Sequence, residues 1–179
     1  MFYKVVERED VGSTILPMET IQDHLRLYDQ TEESILEQYR DAAINVAEHI
    51  MNRSIGPAKI HASFSRYKAR FVVPMGEVKS IDAITAYRDG AEIPVTNFRL
   101  NLVSDEVILN SEYSYCEDFH VIANVGWTAF EVPKGIIQGL LQLIATFYEQ
   151  REDQSFGVSG TEIPFSHRYL FERWYIPAR

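Results

Sequence analysis

Five histidines, one cysteine and 26 carboxylates are the groups in this 179-residue chain that could do metal, nucleophilic or acid–base chemistry. His24, His49, His61, His120 and His167 are scattered, with none paired at metal-ligand spacing. Cys116 is followed by Glu117 and Asp118, whose charges disfavour a thiolate. A lone cysteine also has no internal disulfide partner, which fits a reducing compartment. Gly157-Val158-Ser159-Gly160 is superficially like a nucleophile elbow, but it follows a helix and lacks the Gly-x-Ser-x-Gly pattern. It also lacks the Lys-Ser/Thr ending of a phosphate loop, and it reads as a connector. The acidic pair Glu32/Glu33 stands where a helix begins, and there a structural role suffices. No residue is assigned to catalysis, a cofactor or a metal, and the expected protein is not an enzyme.

The C-terminal stretch has a different character. Tyr169, Leu170, Phe171, Trp174, Tyr175 and Ile176 place six large apolar or aromatic side chains within eight positions, interleaved with Arg168, Arg173 and Arg179. Part of such a set closes a terminal helix over its own core. The rest are of the types enriched at interface hot spots, Arg, Trp and Tyr.

The elements that must position this tail are legible from periodicity. A first helix is expected over about Met18 to Leu27. A second, capped by Asp29 or Thr31, carries Ile35, Leu36, Tyr39, Ala42, Ala43, Val46, Ala47 and Ile50 at helical spacing. Glu37, Arg40, Asp41 and Glu48 fall mostly on its other side, and Gly56-Pro57 stops it. Residues 58 to about 130 are β-rich: Ala58–Phe64, Tyr67–Val73, Val78–Tyr87, Glu92–Val95, Phe98–Val103, Glu106–Leu109 and Phe119–Val125, with Arg88-Asp89-Gly90 as a hairpin turn. A third helix opens at Pro133 and carries an apolar stripe from Ile136 to Tyr148. A short fourth runs from about Ser166 to Trp174. The expected fold class is α+β: a small bundle of about four helices, residues 1–57 and 131–175, with a β-rich antiparallel insertion, residues 58–130, between helices two and three. An extended tail, 176–179, follows.

A chain of this length buries roughly 70% of its unfolded surface and needs no disulfide or metal to fold. No apolar run reaches a membrane span, and the N-terminus lacks the apolar core of a signal peptide. The expected product is therefore soluble and cytoplasmic, with no membrane partner. The net charge is −9, and residues 1–56 hold 5 basic and 11 acidic side chains. That balance argues against a sequence-reading DNA binder, which needs a basic face.

Several segments, taken in order, resemble one family. Asp23-His24-Leu25-Arg26-Leu27 is similar to an "HLR" helix end. Phe71-Val72-Val73-Pro74-Met75-Gly76-Glu77-Val78-Lys79-Ser80-Ile81 is similar to an "L-P-x-x-P-(L/V)-x-S-V" segment, with Met75-Gly76-Glu77 in place of the second proline region. Val121-Ile122-Ala123-Asn124-Val125-Gly126-Trp127 resembles a "V-x-Y-x-A-G-Y" strand. Val132-Pro133 through Tyr148-Glu149-Gln150-Arg151-Glu152 carries the most specific match, with Gly139 where alanine is favoured. Glu162-Ile163-Pro164-Phe165 and Leu170-Phe171 with Tyr175 match its ending. Together these resemble the head–tail connector (adaptor) family of tailed phages and gene transfer agents, whose members also carry DNA-packaging and head-completion labels. The resemblance spans about Met18 to Tyr175.

What it implies is a structural ring of many copies beneath the portal at the capsid vertex. The partners implied are the portal protein, neighbouring copies, the next connector or tail-completion protein, and double-stranded DNA passing through without sequence-specific binding. The chain would be made in the host bacterial cytoplasm and reside in the virion. On this basis Tyr169, Phe171, Trp174, Tyr175 and Arg179 are the candidate portal contacts, and Glu37, Asp41 and Glu48 the candidate lumen-facing acids. Two other readings stand beside it: a non-catalytic accessory factor in viral DNA packaging, and a small-molecule site lined by Tyr87, Phe98 and Trp127.

Overall fold

A computed structural model describes residues 2–27, 32–150 and 166–176. The chain divides into two compact units, Met1–Asp10 with Asn52–Thr128 and Ile176–Arg179, and Val11–Met51 with Ala129–Tyr175. The fold is α+β, with the β-rich residues inserted between two helices of the other unit.

In the first unit the strands are β1 (Phe2–Arg8), β2 (Ala58–Phe64), β3 (Arg70–Val72), β4 (Val78–Arg88), β5 (Ala91–Pro94), β6 (Phe98–Asn101), β7 (Glu106–Leu109) and β8 (Phe119–Val125). They form a five-stranded sheet in the order β1-β2-β8-β4-β5 and a three-stranded sheet in the order β3-β7-β6, with every pairing within them antiparallel. Strict alternation in β2 and β8 turns Ile60, Phe64, Phe119, Val121, Ala123 and Val125 inward. Phe71, Val73, Val107 and Leu109 of the smaller sheet and its flanks complete the core. Phe64 stacks on Phe119 at 5.0 Å between ring centroids and tilts against Phe71 at 4.7 Å. The turn between β4 and β5 has positive φ at both Asp89 and Gly90, as a two-residue hairpin of this hand requires.

The unit contains an unusual turn where the sequence departs from the family pattern. Met75, Gly76 and Glu77 are three consecutive residues in left-handed backbone, which costs a non-glycine residue about 1–2 kcal/mol. The offset comes from hydrogen bonds. Asp105, itself buried, accepts from the backbone N–H of Glu77 (3.2 Å) and Val78 (2.9 Å). Gly126 N–H donates to the carbonyls of Gly76 (3.2 Å) and Glu77 (3.1 Å), and Ser54 N–H to that of Met75 (3.0 Å).

In the second unit the helices are α1 (Gly12–Ile15), α2 (Met18–Leu25), α3 (Glu33–Met51), α4 (Lys134–Glu149) and α5 (Ser166–Glu172). Pro133 stands at the N-cap of α4, just before its first turn. The α3 stripe buries Leu36, Ala43, Ala47 and Met51, and α4 buries Ile136, Leu140, Leu141, Leu143 and Ile144. Tyr39 meets Phe147 at 6.1 Å between centroids, and the Tyr148 hydroxyl donates to Glu32 at 2.7 Å.

Two expectations are corrected. Residues 2–8, grouped with the helices from sequence, form the edge strand of the larger sheet. Arg40 and Glu48 are buried rather than on a solvated face of α3. That helix is packed by α1, α2, α4 and α5 in turn, so a single apolar stripe cannot describe its buried surface. Asp29 and Thr31, the expected caps of α3, lie outside the described residues, as does Gly157–Gly160.

Candidate functional site

The clustered aromatic residues of the tail are brought onto one short helix, α5, and the turn after it. Phe171 is wholly buried (0% exposed). Its ring lies over Gly139 of α4, where an added Cβ would stand 2.6 Å from Phe171 Cε1. Glycine at this position is therefore what admits the aromatic ring. Arg168 Nε donates to Glu172 Oε1 at 2.9 Å one turn on, which supports the helix from its solvent side. With Phe171 as anchor, Tyr169 is left 79% exposed and Tyr175 52% exposed. Trp174 is half-buried, and Arg179 lies outside the described residues. The structure thus splits the five expected portal contacts: Tyr169 and Tyr175 are offered to solvent, while Phe171 is withdrawn into the core.

Beside α5 runs a groove of about 780 Å³, lined by Val46, His49 and Ile50 of α3 and by His167, Arg168, Glu172 and Tyr175. Its walls combine apolar surface with two imidazoles, the Arg168–Glu172 ion pair and an exposed phenol. Burial pushes the His167 imidazole below its usual value. Where the unfolded His167, near 6.5, binds protons that the folded one refuses, stability rises with pH. The seating of α5 is therefore expected to be complete above about pH 6.5 and to loosen as the pH falls through that value. Amide exchange of α5 across this range measures it. His167→Asn, which cannot titrate, is expected to flatten the profile.

The expected lumen-facing acids are also divided. Glu37 and Asp41 are exposed on α3, but Glu48 is 6% exposed. From the sequence, the acidity of the first 56 residues concentrates in Val11–Met51, which holds 8 carboxylates against 2 arginines. On the outer sheet face of the β unit Lys59 pairs with Asp82 at 2.9 Å, and Asn124 donates to Asp82 at 2.6 Å and to Ser80 at 2.9 Å. This contact raises the Lys59 ammonium and lowers the Asp82 carboxyl from their ordinary values, as a solvated ion pair does.

The residues of the small-molecule reading do not converge. Tyr87 donates to Glu92 and lies against His120, Phe98 packs on the β core, and Trp127 sits beneath the Arg53 guanidinium at 5.4 Å. Cys116 is buried, and burial raises its thiol while Arg88 pulls the other way; the adjacent carboxylates are not the cause. Among the described residues no three His, Cys, Asp or Glu side chains are grouped to hold a metal ion, and no helix is long and apolar enough to cross a membrane.

No protein-family model and no curated protein matches the sequence. The fold does have solved counterparts. A chain in the neck of an empty gene transfer agent particle, computed with C6 symmetry, superposes with a TM-score of 0.73 at 21% identity. A chain of the native gene transfer agent virion does so at 0.73 and 22%, and one from the native particle's neck, computed with C12 symmetry, at 0.68 and 22%. Each alignment covers 100% of this chain and 97% of the other. The likeness is therefore one of the whole fold, including both units, and not of a shared subdomain.

Proposed function

We propose that this chain is a structural head–tail connector of a phage or gene transfer agent particle. It forms a ring under the portal at the capsid vertex, links the head to the tail or to the next connector, and lets DNA pass through its lumen. The observation that carries the reading is the end-to-end fold match with chains of gene transfer agent necks. The C6 and C12 symmetries with which two of those necks were computed support a cyclic assembly. A cyclic ring needs one surface that meets a different surface of its neighbour, and a ring engages a portal at many equivalent points, so weak single contacts add to large avidity.

In this reading Tyr169, Trp174, Tyr175 and Arg179 are the portal contacts, while Phe171 holds α5 in place. Glu37 and Asp41 face the lumen, where like charge keeps phosphates from adhering. Glu48 is too buried for that duty and is left out. The chain is made in the host bacterial cytoplasm and ends in the virion.

The test is co-sedimentation with portal rings from the same genome. Saturable binding near one copy per portal subunit is expected, and Tyr169→Ala with Tyr175→Ala is expected to weaken it at least about tenfold, the scale of one lost hot spot. Intact portal rings that leave the folded chain in the supernatant would reduce the case to fold resemblance.

A further inference from the structure

The five-stranded sheet of the β unit has two edges, β1 and β5. Strand β1 is outermost, and all seven of its residues are exposed. Four of them are apolar: Phe2 (81% exposed), Tyr3, Val5 and Val6 (54%). The opposite edge, β5, is four residues long and ends in Pro94, a residue that cannot donate to a further strand. Among the described residues β1 is blunted by the charges of Lys4, Glu7 and Arg8 and by one bulge, with no proline in it.

That bulge decides what β1 can pair with. Lys4 stands opposite His61 and Glu7 opposite Lys59, so both lie on the outer face, although strict alternation would put positions four and seven on opposite faces. The register slips by one residue between Val5 and Glu7, and Val6 is the extra residue. Tyr3, opposite Ala62, Val5, opposite Ile60, and Arg8, opposite Ala58, share the inner face. The strand has therefore become self-complementary. When two copies run antiparallel about a point between Val5 and Val6, Lys4 faces Glu7 of the second copy and Tyr3 faces its Arg8. Each pair occurs twice, with the valines at the centre. Opposite charges and an arginine–aromatic pair meet on matching faces, which is the favourable cross-strand arrangement.

We infer that the edge of β1 is a docking surface for β1 of a second copy, giving a two-fold dimer with a continuous ten-stranded sheet. Main-chain hydrogen bonds supply the attraction, and the Lys4–Glu7 pairs set the register. The occupant is a second copy and not an unrelated strand because the charge order of the edge answers itself. Edge pairing of this length buries little area, so the dimer is weak. None of this rests on the connector reading. Under that reading a closed ring has no two-fold axis in this position, so the dimer is a state of the free chain that covers the edge before assembly.

The experiment is sedimentation equilibrium of the free full-length chain from micromolar to sub-millimolar concentration, with Lys4→Glu, Glu7→Lys and the double reversal. Wild type is expected to be in monomer–dimer equilibrium. Either single reversal is expected to weaken the dimer about tenfold or more, since it puts like charges opposite each other twice. The double reversal is expected to restore it, while far-UV spectra stay the same throughout; both variants carrying Glu7→Lys melt slightly lower, because Glu7 also stands opposite Lys59 of its own chain. A wild type that stays monomeric, that forms higher oligomers only, or whose dimer ignores the single reversals would overturn the assignment. Because portal is absent, failure here leaves the connector reading untouched, and failed portal binding leaves the dimer untouched.

Discussion

Replacing Phe171 by alanine is expected to lower the stability of the helical unit by about 3–5 kcal/mol, the usual cost of truncating a fully buried aromatic. The α5 helix should exchange its amides freely while α3 and α4 remain protected. The ring is fully buried, and its contact is with a bare backbone site on α4, Gly139. The complementary change, Gly139→Ala, should act in the same direction but less strongly. It gains up to about 1 kcal/mol of helix propensity and loses about 1–3 kcal/mol to overpacking against the ring. Tyr169→Ala, on the same helix but exposed, should stay within about 0.5 kcal/mol of wild type. Chemical denaturation and hydrogen exchange read all three. A Phe171→Ala protein with native protection in α5 would show that something other than this ring holds the helix. If Tyr169 and Tyr175 contact a portal as proposed, Phe171→Ala weakens that binding by releasing α5, whereas Tyr169→Ala weakens it with α5 still seated.

The sequence disclosed those parts of the fold in which one period governs one buried face. Strands β2 and β8 alternate without interruption, and both were read to the residue. The hairpin at Asp89-Gly90 was equally clear, because its turn chemistry is local. Strand β1 was missed because adjacent Val5 and Val6 break the alternation, and the cause is the bulge itself. The same feature that hid the strand gives it self-complementary faces. Burial of Arg40 and Glu48 was missed for a different reason: α3 is contacted from several directions, so charge on its second face does not imply solvent. In the tail, the composition identified an interface-like cluster but could not sort it. Which aromatic turns inward depended on Gly139, more than thirty positions away, where the sequence shows a glycine in place of a favoured alanine but not the ring it receives. Asp105 gave no signal at all, since its task is to satisfy two backbone donors of a distant left-handed turn.

The most damaging single substitution is expected to be Gly126→Ala. Gly126 follows β8 with φ of +96°, a conformation costly for any L side chain. A methyl group there would overlap the Gly56 carbonyl oxygen and crowd Ser54 Cβ at 3.2 Å. The obstacle is backbone, so no rotamer change relieves it, and either the end of β8 or the segment before β2 must move. Movement of either breaks the bonds from Gly126 N–H to Gly76 and Glu77 that help hold the left-handed turn, and the Ser54 hydroxyl's 2.7 Å bond to Gly56 with them. Strain, overlap and lost hydrogen bonds together place the cost at about 4 kcal/mol or more, at the far end of point-mutant effects. A lowered urea midpoint with an unchanged slope, or failure to accumulate as soluble protein, is the expected result. Gly135→Ala is the control, because a Cβ at that position in the first turn of α4 meets nothing within 4 Å. It should leave stability unchanged or raise it by up to about 1 kcal/mol. If both alanines behaved alike, the close approach of Gly126 to Gly56 would not be a constraint on the fold. If they diverge as expected, the glycine in the strand that resembles the family's "A-G-Y" is explained by packing of this chain's own backbone, with no ligand required.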